Sequence, residues 1–236
     1  MAHHQARRQS TFRPEPEPLE SRVCLSTTNA SYVASVYQDV QHRSASAQEV
    51  GYWTQQLQGG ASAIAFATGL VNSVEHRTAE INHDYQSLLG RAPAANETAY
   101  YLNAFAQGAH SDDVLASFLT SPEYKGLHQG NTAYVNALYN DVLGRDAEAA
   151  GQAYYVNILD QGANPVGVVP GFLHSPERMG QVVDQTYASI LRRTDNPVEH
   201  QAQVDLLVFG GSRTENVVIG ALTSPEYAKR HNGTAT

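Results

Sequence analysis

Cysteine occurs once in these 236 residues, as Cys24, which excludes an intramolecular disulfide and a four-cysteine metal site. No run of 18 or more apolar residues is present, so no stretch reads as a membrane-spanning helix. Charge is scarce too. Asp, Glu, Lys and Arg make up 16% of the chain, against about a quarter in ordinary soluble domains, and the surface must rely on Asn, Gln, Ser, Thr and Tyr. The net charge of −8 is opposite in sign to the basic patch that nucleic acid requires and to a segment drawn to anionic lipid. Also missing are a His-Glu-x-x-His pair, a phosphate-binding glycine loop, a dinucleotide fingerprint and a Gly-x-Ser-x-Gly elbow. The expectation is a non-catalytic chain with no cofactor, no nucleic-acid partner and no membrane insertion.

Residues 1–28 stand apart. They hold Arg7, Arg8, Arg13 and Arg22 around Pro14-Glu15-Pro16-Glu17-Pro18, and alternating proline favours extended backbone that cannot pack a core. A disordered leader is expected, without the apolar stretch of an ordinary secretory signal.

From about residue 29 the chain repeats. Leu119-Thr120-Ser121-Pro122-Glu123-Tyr124 returns as Leu173-His174-Ser175-Pro176-Glu177-Arg178 and as Leu222-Thr223-Ser224-Pro225-Glu226-Tyr227, with Val71-Asn72-Ser73-Val74-Glu75 a weaker version. Upstream of each mark lies an arginine (Arg43, Arg91, Arg145, Arg193), and six residues before each arginine a tyrosine (Tyr37, Tyr85, Tyr139, Tyr187). A glycine precedes each mark (Gly59, Gly108, Gly162, Gly210). These coincident markers define four copies, at 29–77, 78–125, 126–178 and 179–230, with a tail at 231–236. Copies one and four are the degenerate ones, since terminal repeats of a stack meet water on one face. Within each copy, apolar residues recur at helical spacing, as in Val135, Leu138, Tyr139 and Val142. The fold class expected is all-α, a tandem helical repeat array with about three helices per copy.

The Ser-Pro-Glu mark suits a helix start. Ser121, Ser175 and Ser224 supply N-caps, proline takes the first helical position, and glutamate meets the positive end of the dipole. Gly90 and Gly144 suit left-handed helix ends. Ser62, Ser111 and Asn164 are expected to cap the third helices, and Pro170 to kink or shorten one. Each loop arginine lies 32 or 33 residues before the glutamate of its mark, which predicts ion pairs Arg43–Glu75, Arg91–Glu123, Arg145–Glu177 and Arg193–Glu226. An anion-binding face is the competing use of these arginines. Asp141, Asp146 and Glu148 cluster in copy three and read as a solvated acidic loop ahead of a calcium site, for which the ligand spacing is wrong. His76 and His83 lie two turns apart, too far for one metal without other ligands. Of the paired aromatics on the second helix, Tyr100 and Tyr154 are the candidate exposed contacts.

Copy three, from Leu138-Tyr139-Asn140-Asp141-Val142-Leu143-Gly144-Arg145-Asp146 through Gly151, Tyr154-Tyr155, Leu159 and Gly162 to Phe172-Leu173-His174-Ser175-Pro176-Glu177, resembles the bacterial domain of unknown function 4214. Copy two carries the same pattern, and copies one and four match more loosely, over about residues 30–230. Tryptophan is usual in that family where Tyr101 and Tyr155 stand, and copy four lacks the glycine before Arg193. Leu19-Glu20-Ser21-Arg22-Val23-Cys24-Leu25-Ser26 is similar to the LEPR-XLL leader of bacterial extracellular proteins, with Ser21 in place of proline and Cys24 in place of leucine. The resemblance implies an all-helical module, often in tandem, of bacterial secreted or cell-surface proteins, with the cytoplasm as the other location. It implies no reaction. The functional expectation is a structural or interaction module that binds protein through helix faces, the alternative being a carbohydrate-binding module for envelope or matrix polysaccharide.

Overall fold

Helix boundaries fall where capping residues put them. The computed structural model describes residues 19–231, with side chains from Asn29 onward. Copy one holds α1 (Leu19–Gln41), α2 (Ala47–Gln58) and α3 (Ala63–Val71). The joint helix α4 (Val74–Leu89) doubles as the first helix of copy two, before α5 (Ala95–Ala106) and α6 (Ser111–Thr120). The short α7 (Pro122–Leu127) leads into copy three, with α8 (Asn131–Leu143), α9 (Ala149–Asp160) and α10 (Pro165–Leu173). A second joint helix, α11 (Pro176–Ser189), opens copy four, followed by α12 (Pro197–Val208), α13 (Thr214–Leu222) and the short α14 (Pro225–Arg230). Among the described residues there is no strand. Ser73, Ser121, Ser175 and Ser224 each accept a hydrogen bond from the backbone N–H three residues on, a cap that contributes about 1 kcal/mol. Gly90 (φ 67°) and Gly144 (φ 65°) close α4 and α8 in the left-handed region.

Four expectations change. Helix α1 begins at Leu19, inside the segment read as a disordered leader, because proline stops at Pro18 and nothing in Leu19–Thr28 forbids helix; residues 1–18 lie outside the described residues. Ser111 is the first residue of α6, not its cap: His110 holds the cap position, and the Ser111 hydroxyl is engaged by Arg77 and Glu215. Pro170 sits within α10 without shortening it, since the helix spans 9 residues, as do α3 and α13. The terminal copies do not each leave a face to water; they pack on each other.

That closure organises the molecule. The third helices pair across copies, α3 with α13 and α6 with α10. One core combines copies one and four through Tyr32, Val36, Phe66, Leu70, Val183, Val204, Val217 and Leu222. The other combines copies two and three through Ile81, Phe118, Leu119, Val135, Leu138, Val168 and Phe172. The two pairings are related in detail. Tyr134 donates its hydroxyl to the Leu119 carbonyl at 3.0 Å, and Tyr32 to the Leu222 carbonyl at 3.1 Å. Tyr124 donates to Asp141 at 2.5 Å, and Tyr227 to Asp39 at 2.7 Å. Both rings lie against a histidine four residues on, His128 at 4.5 Å and His231 at 4.4 Å. The chain is thus a closed set of four copies in which α14 meets α1 as α7 meets α8. The second helices α2, α5, α9 and α12 lie outermost, each packed on the first helix of its own copy.

Candidate functional site

The loop arginines are brought to their distant glutamates in all four copies. Nε of Arg43, Arg91 and Arg145 lies 2.5 Å from Glu75, Glu123 and Glu177, and that of Arg193 lies 2.9 Å from Glu226. Each guanidinium holds a second carboxylate, Glu49 at 2.7 Å, Glu97 at 2.7 Å, Glu148 at 2.5 Å and Glu199 at 2.9 Å. It also donates to the carbonyl of the next residue and lies over the marker tyrosine at 5.2, 4.7, 5.0 and 4.9 Å. Arg43, and then the Ser46 amide, hold Glu49 down to about 2, and Arg91 with the Ala94 amide does the same for Glu97. The second glutamate was legible, since Glu49, Glu97 and Glu199 all lie six residues after the arginine and at the N3 position of the next helix. Copy three has Gly151 there and substitutes Glu148; a Cβ at Gly151 would overlap the Tyr139 hydroxyl and the Glu148 carboxylate. With two carboxylates per guanidinium, each cluster locks a loop, a helix start and a joint together, and it leaves no spare positive charge for an anion.

Where the copies converge, a cleft of about 370 Å³ is lined by Asp39, His42, His76, Glu80, Arg178 and Glu215 among others. Beside it Arg77 is buried, 3% exposed, and donates to Glu80, Ser111 and Asn72 at 2.7 Å each and to Glu215 at 3.1 Å. Its guanidinium lies 4.2 Å from the centre of the Phe105 ring. Burial works against the Glu215 carboxylate, but the Ser111 amide and Arg77 bring it below its ordinary range. Burial pushes Asp112 up, with Arg178 opposing, and holds Arg178 down. His76 donates from Nδ1 to the Val40 carbonyl, 3.0 Å away, and burial lowers its pKa. Arg77, Ser111 and Glu215 hold α4, α6 and α13 together. Arg77 went unnoticed in the sequence, although it stands in the apolar stripe of Ile81, Tyr85 and Leu88, where an arginine signals a buried partner.

The acids of copy three separate: Asp141 accepts from Tyr124 and Glu148 from Arg145. The three-ligand group that does converge among the described residues is Asp184, Asp195 and His200. There Nδ1 of His200 lies 2.9 Å from Asp195 and 3.1 Å from Asp184, so one ring nitrogen serves both carboxylates. His83 is exposed.

The outer helices carry the repeated exposed groups. Tyr100 is 68% exposed and Tyr154 61%, and Tyr52, their equivalent in copy one, 56%. Each leans edge-on against the aromatic that follows it, with ring centres 5.1–5.2 Å apart. That inner ring packs on a core phenylalanine: Trp53 on Phe66, Tyr101 on Phe118 and Tyr155 on Phe172.

The family described as Domain of unknown function (DUF4214) matches residues 18–80, 78–128 and 127–182. The chain belongs to this family. The three matches are tandem and follow copies one to three, so copy one is a full member and copy four is the divergent one. No curated protein and no solved structure matches the chain. No helix among the described residues is long and apolar enough to cross a membrane.

Proposed function

We propose that this DUF4214 chain is a non-catalytic interaction module of a bacterial secreted or cell-surface protein, binding a protein partner through the outer faces of its second helices. The observation that carries the reading is the same exposed tyrosine at the same register of α2, α5 and α9. A large amphipathic ring, braced by an aromatic neighbour, gives contact area at low entropic cost. The four loop arginines and Arg77 are tied into architecture, which supports a binding role over a catalytic one. The leader-like Leu19–Ser26 and the family's character support the surface location.

The test is a pull-down from bacterial envelope extract with the full chain and a Tyr52→Ser, Tyr100→Ser, Tyr154→Ser variant, with a glycan array run alongside. A protein retained by the first and lost by the second, at unchanged melting temperature, is the expected result. Retention by both sinks the tyrosine reading, and a glycan signal that depends on the three tyrosines moves the function to carbohydrate.

A further inference from the structure

Copy four differs from its sisters at the places that hold aromatic rings in them. Ten residues after the loop arginine stand Trp53, Tyr101 and Tyr155, but Gln203 in copy four. The phenylalanine under each ring is Phe66, Phe118 or Phe172, at 4.7, 4.7 and 4.5 Å; Val217 stands in copy four where copy one has Phe66, and Ala221 where copies two and three have Phe118 and Phe172. In their stead is a cavity of about 470 Å³, walled by Tyr187, Gln203, Leu206, Val217 and Ala221 and rimmed by the Arg193–Glu199–Glu226 cluster. Exposed apolar side chains gather on the same helix and its C-cap: Val198 at 79%, Leu206 at 51% and Phe209 at 81%. The other three second helices expose one large apolar or aromatic residue each.

We propose that this cavity receives one aromatic side chain, a phenol or indole ring, from a partner polypeptide, in the place that the sister copies fill from their own chain. The proposal rests on the protein-interaction reading and adds the chemistry of one contact. The apolar floor of Val217, Ala221 and Leu206 takes a ring face. Tyr187 offers the edge that Tyr85 presents to Tyr101 at 6.1 Å and Tyr139 to Tyr155 at 6.4 Å. Gln203, Ser212 and Asn216 at the lining can meet a hydroxyl or an indole N–H.

The probes are N-acetyl-tyrosinamide and N-acetyl-tryptophanamide, with N-acetyl-leucinamide as the apolar control, titrated into the full chain and read by amide chemical shifts. Saturable shifts at Leu206, Val217, Gly220 and Ala221 are expected, with the leucine amide binding roughly tenfold more weakly. Gln203→Tyr with Ala221→Phe, or Gln203→Tyr alone, should abolish them. No saturable shift, equal binding of the leucine amide, or unchanged binding to a folded filled variant overturns the proposal. Should neither filled variant keep its helicity, Tyr101→Gln decides. A second set of shifts around Phe118 supports the proposal, and none overturns it. None of Tyr52, Tyr100 and Tyr154 lines this cavity, so loss of the pulled-down partner with probe binding intact, or the reverse, tells which of the two readings has failed.

Discussion

Two junctions of the molecule make the same contacts by different means. At the first, α7 runs on through three residues into α8, so the covalent chain delivers Tyr124 to Asp141 and Tyr134 to the Leu119 carbonyl. At the second, α14 meets α1 from the opposite end of the sequence, yet Tyr227 finds Asp39 and Tyr32 finds the Leu222 carbonyl. Even the strings agree: Asn29-Ala30-Ser31-Tyr32-Val33 parallels Asn131-Thr132-Ala133-Tyr134-Val135. Chain continuity is therefore not what makes the joint. Side-chain complementarity is, and at the second junction it must hold without a tether.

The largest effects should come from the cores. Phe66→Ala and Phe118→Ala, one in each core and both fully buried, should each cost about 3–5 kcal/mol in urea denaturation. A much smaller loss for Phe66 would mean that the core of copies one and four is the looser. Next come the junction tyrosines. Burial, and then Asp141 or Asp39, raise the pKa of both Tyr124 and Tyr227, as befits a phenol that stays protonated to donate. Replacing either with phenylalanine should cost about 1 kcal/mol. Hydrogen exchange separates them: Tyr227→Phe should speed exchange throughout α14, whereas Tyr124→Phe should leave tethered α7 close to the parent.

A gain is expected at the loops. Where copies two and three have Gly90 and Gly144, copies one and four hold His42 at φ 53° and Arg192 at φ 51°, a left-handed conformation that costs a side chain about 1 kcal/mol. His42→Gly should stabilise by about 0.5 kcal/mol after the unfolded-state entropy is counted, read as a rise in melting temperature. Arg192→Gly should gain less, because it loses the 2.9 Å pair with Asp39.

pH offers a finer comparison. Burial, with Glu80 adding, raises Asp84 to about 7. Its protonated form is favoured in the fold, so its stability contribution is full below the ordinary carboxylate range and fades as pH rises through about 7. Asp84→Asn should remove that slope and leave the variant relatively more stable at pH 8. The arginine clusters have the opposite sign. Glu49 and Glu97, held down to about 2, contribute stability present above the ordinary carboxylate range and lost as pH falls toward 2. Arg91→Met should flatten that acid limb in unfolding titrations. At neutral pH its effect should be the smallest of the series, since the cluster is solvent-screened.

The sequence made the helices, their caps and the Arg–Glu pairs readable because each depends on residues at fixed spacing. The Ser-Pro-Glu start and the 32-residue interval survive in every copy or nearly so. Closure was not readable, because no local spacing says that copy one meets copy four. Its trace in the sequence is the likeness of copies one and three at the start of their first helices. Divergence in copy four suggests, from sequence alone, a repeat facing water. The third-helix pairing of α3 with α13 shows the opposite, a divergent copy packed on a full member. Of the outward tyrosines, Tyr100 and Tyr154 are legible as the first of two paired tyrosines, whereas Tyr52 stands before a tryptophan and breaks that pattern.

The measurement that bears most directly on the closed arrangement is a nuclear Overhauser contact between the rings of Tyr32 and Tyr227, whose centres lie 5.9 Å apart. Tyr124 and Tyr134, 6.0 Å apart across the tethered junction, serve as the internal standard. Closure predicts both contacts with similar intensity in a dilute, uniformly labelled sample, and no transfer between differently labelled molecules in a mixed one. A Tyr124–Tyr134 contact without its Tyr32–Tyr227 counterpart, or a Tyr32–Tyr227 contact seen only between molecules, would contradict it.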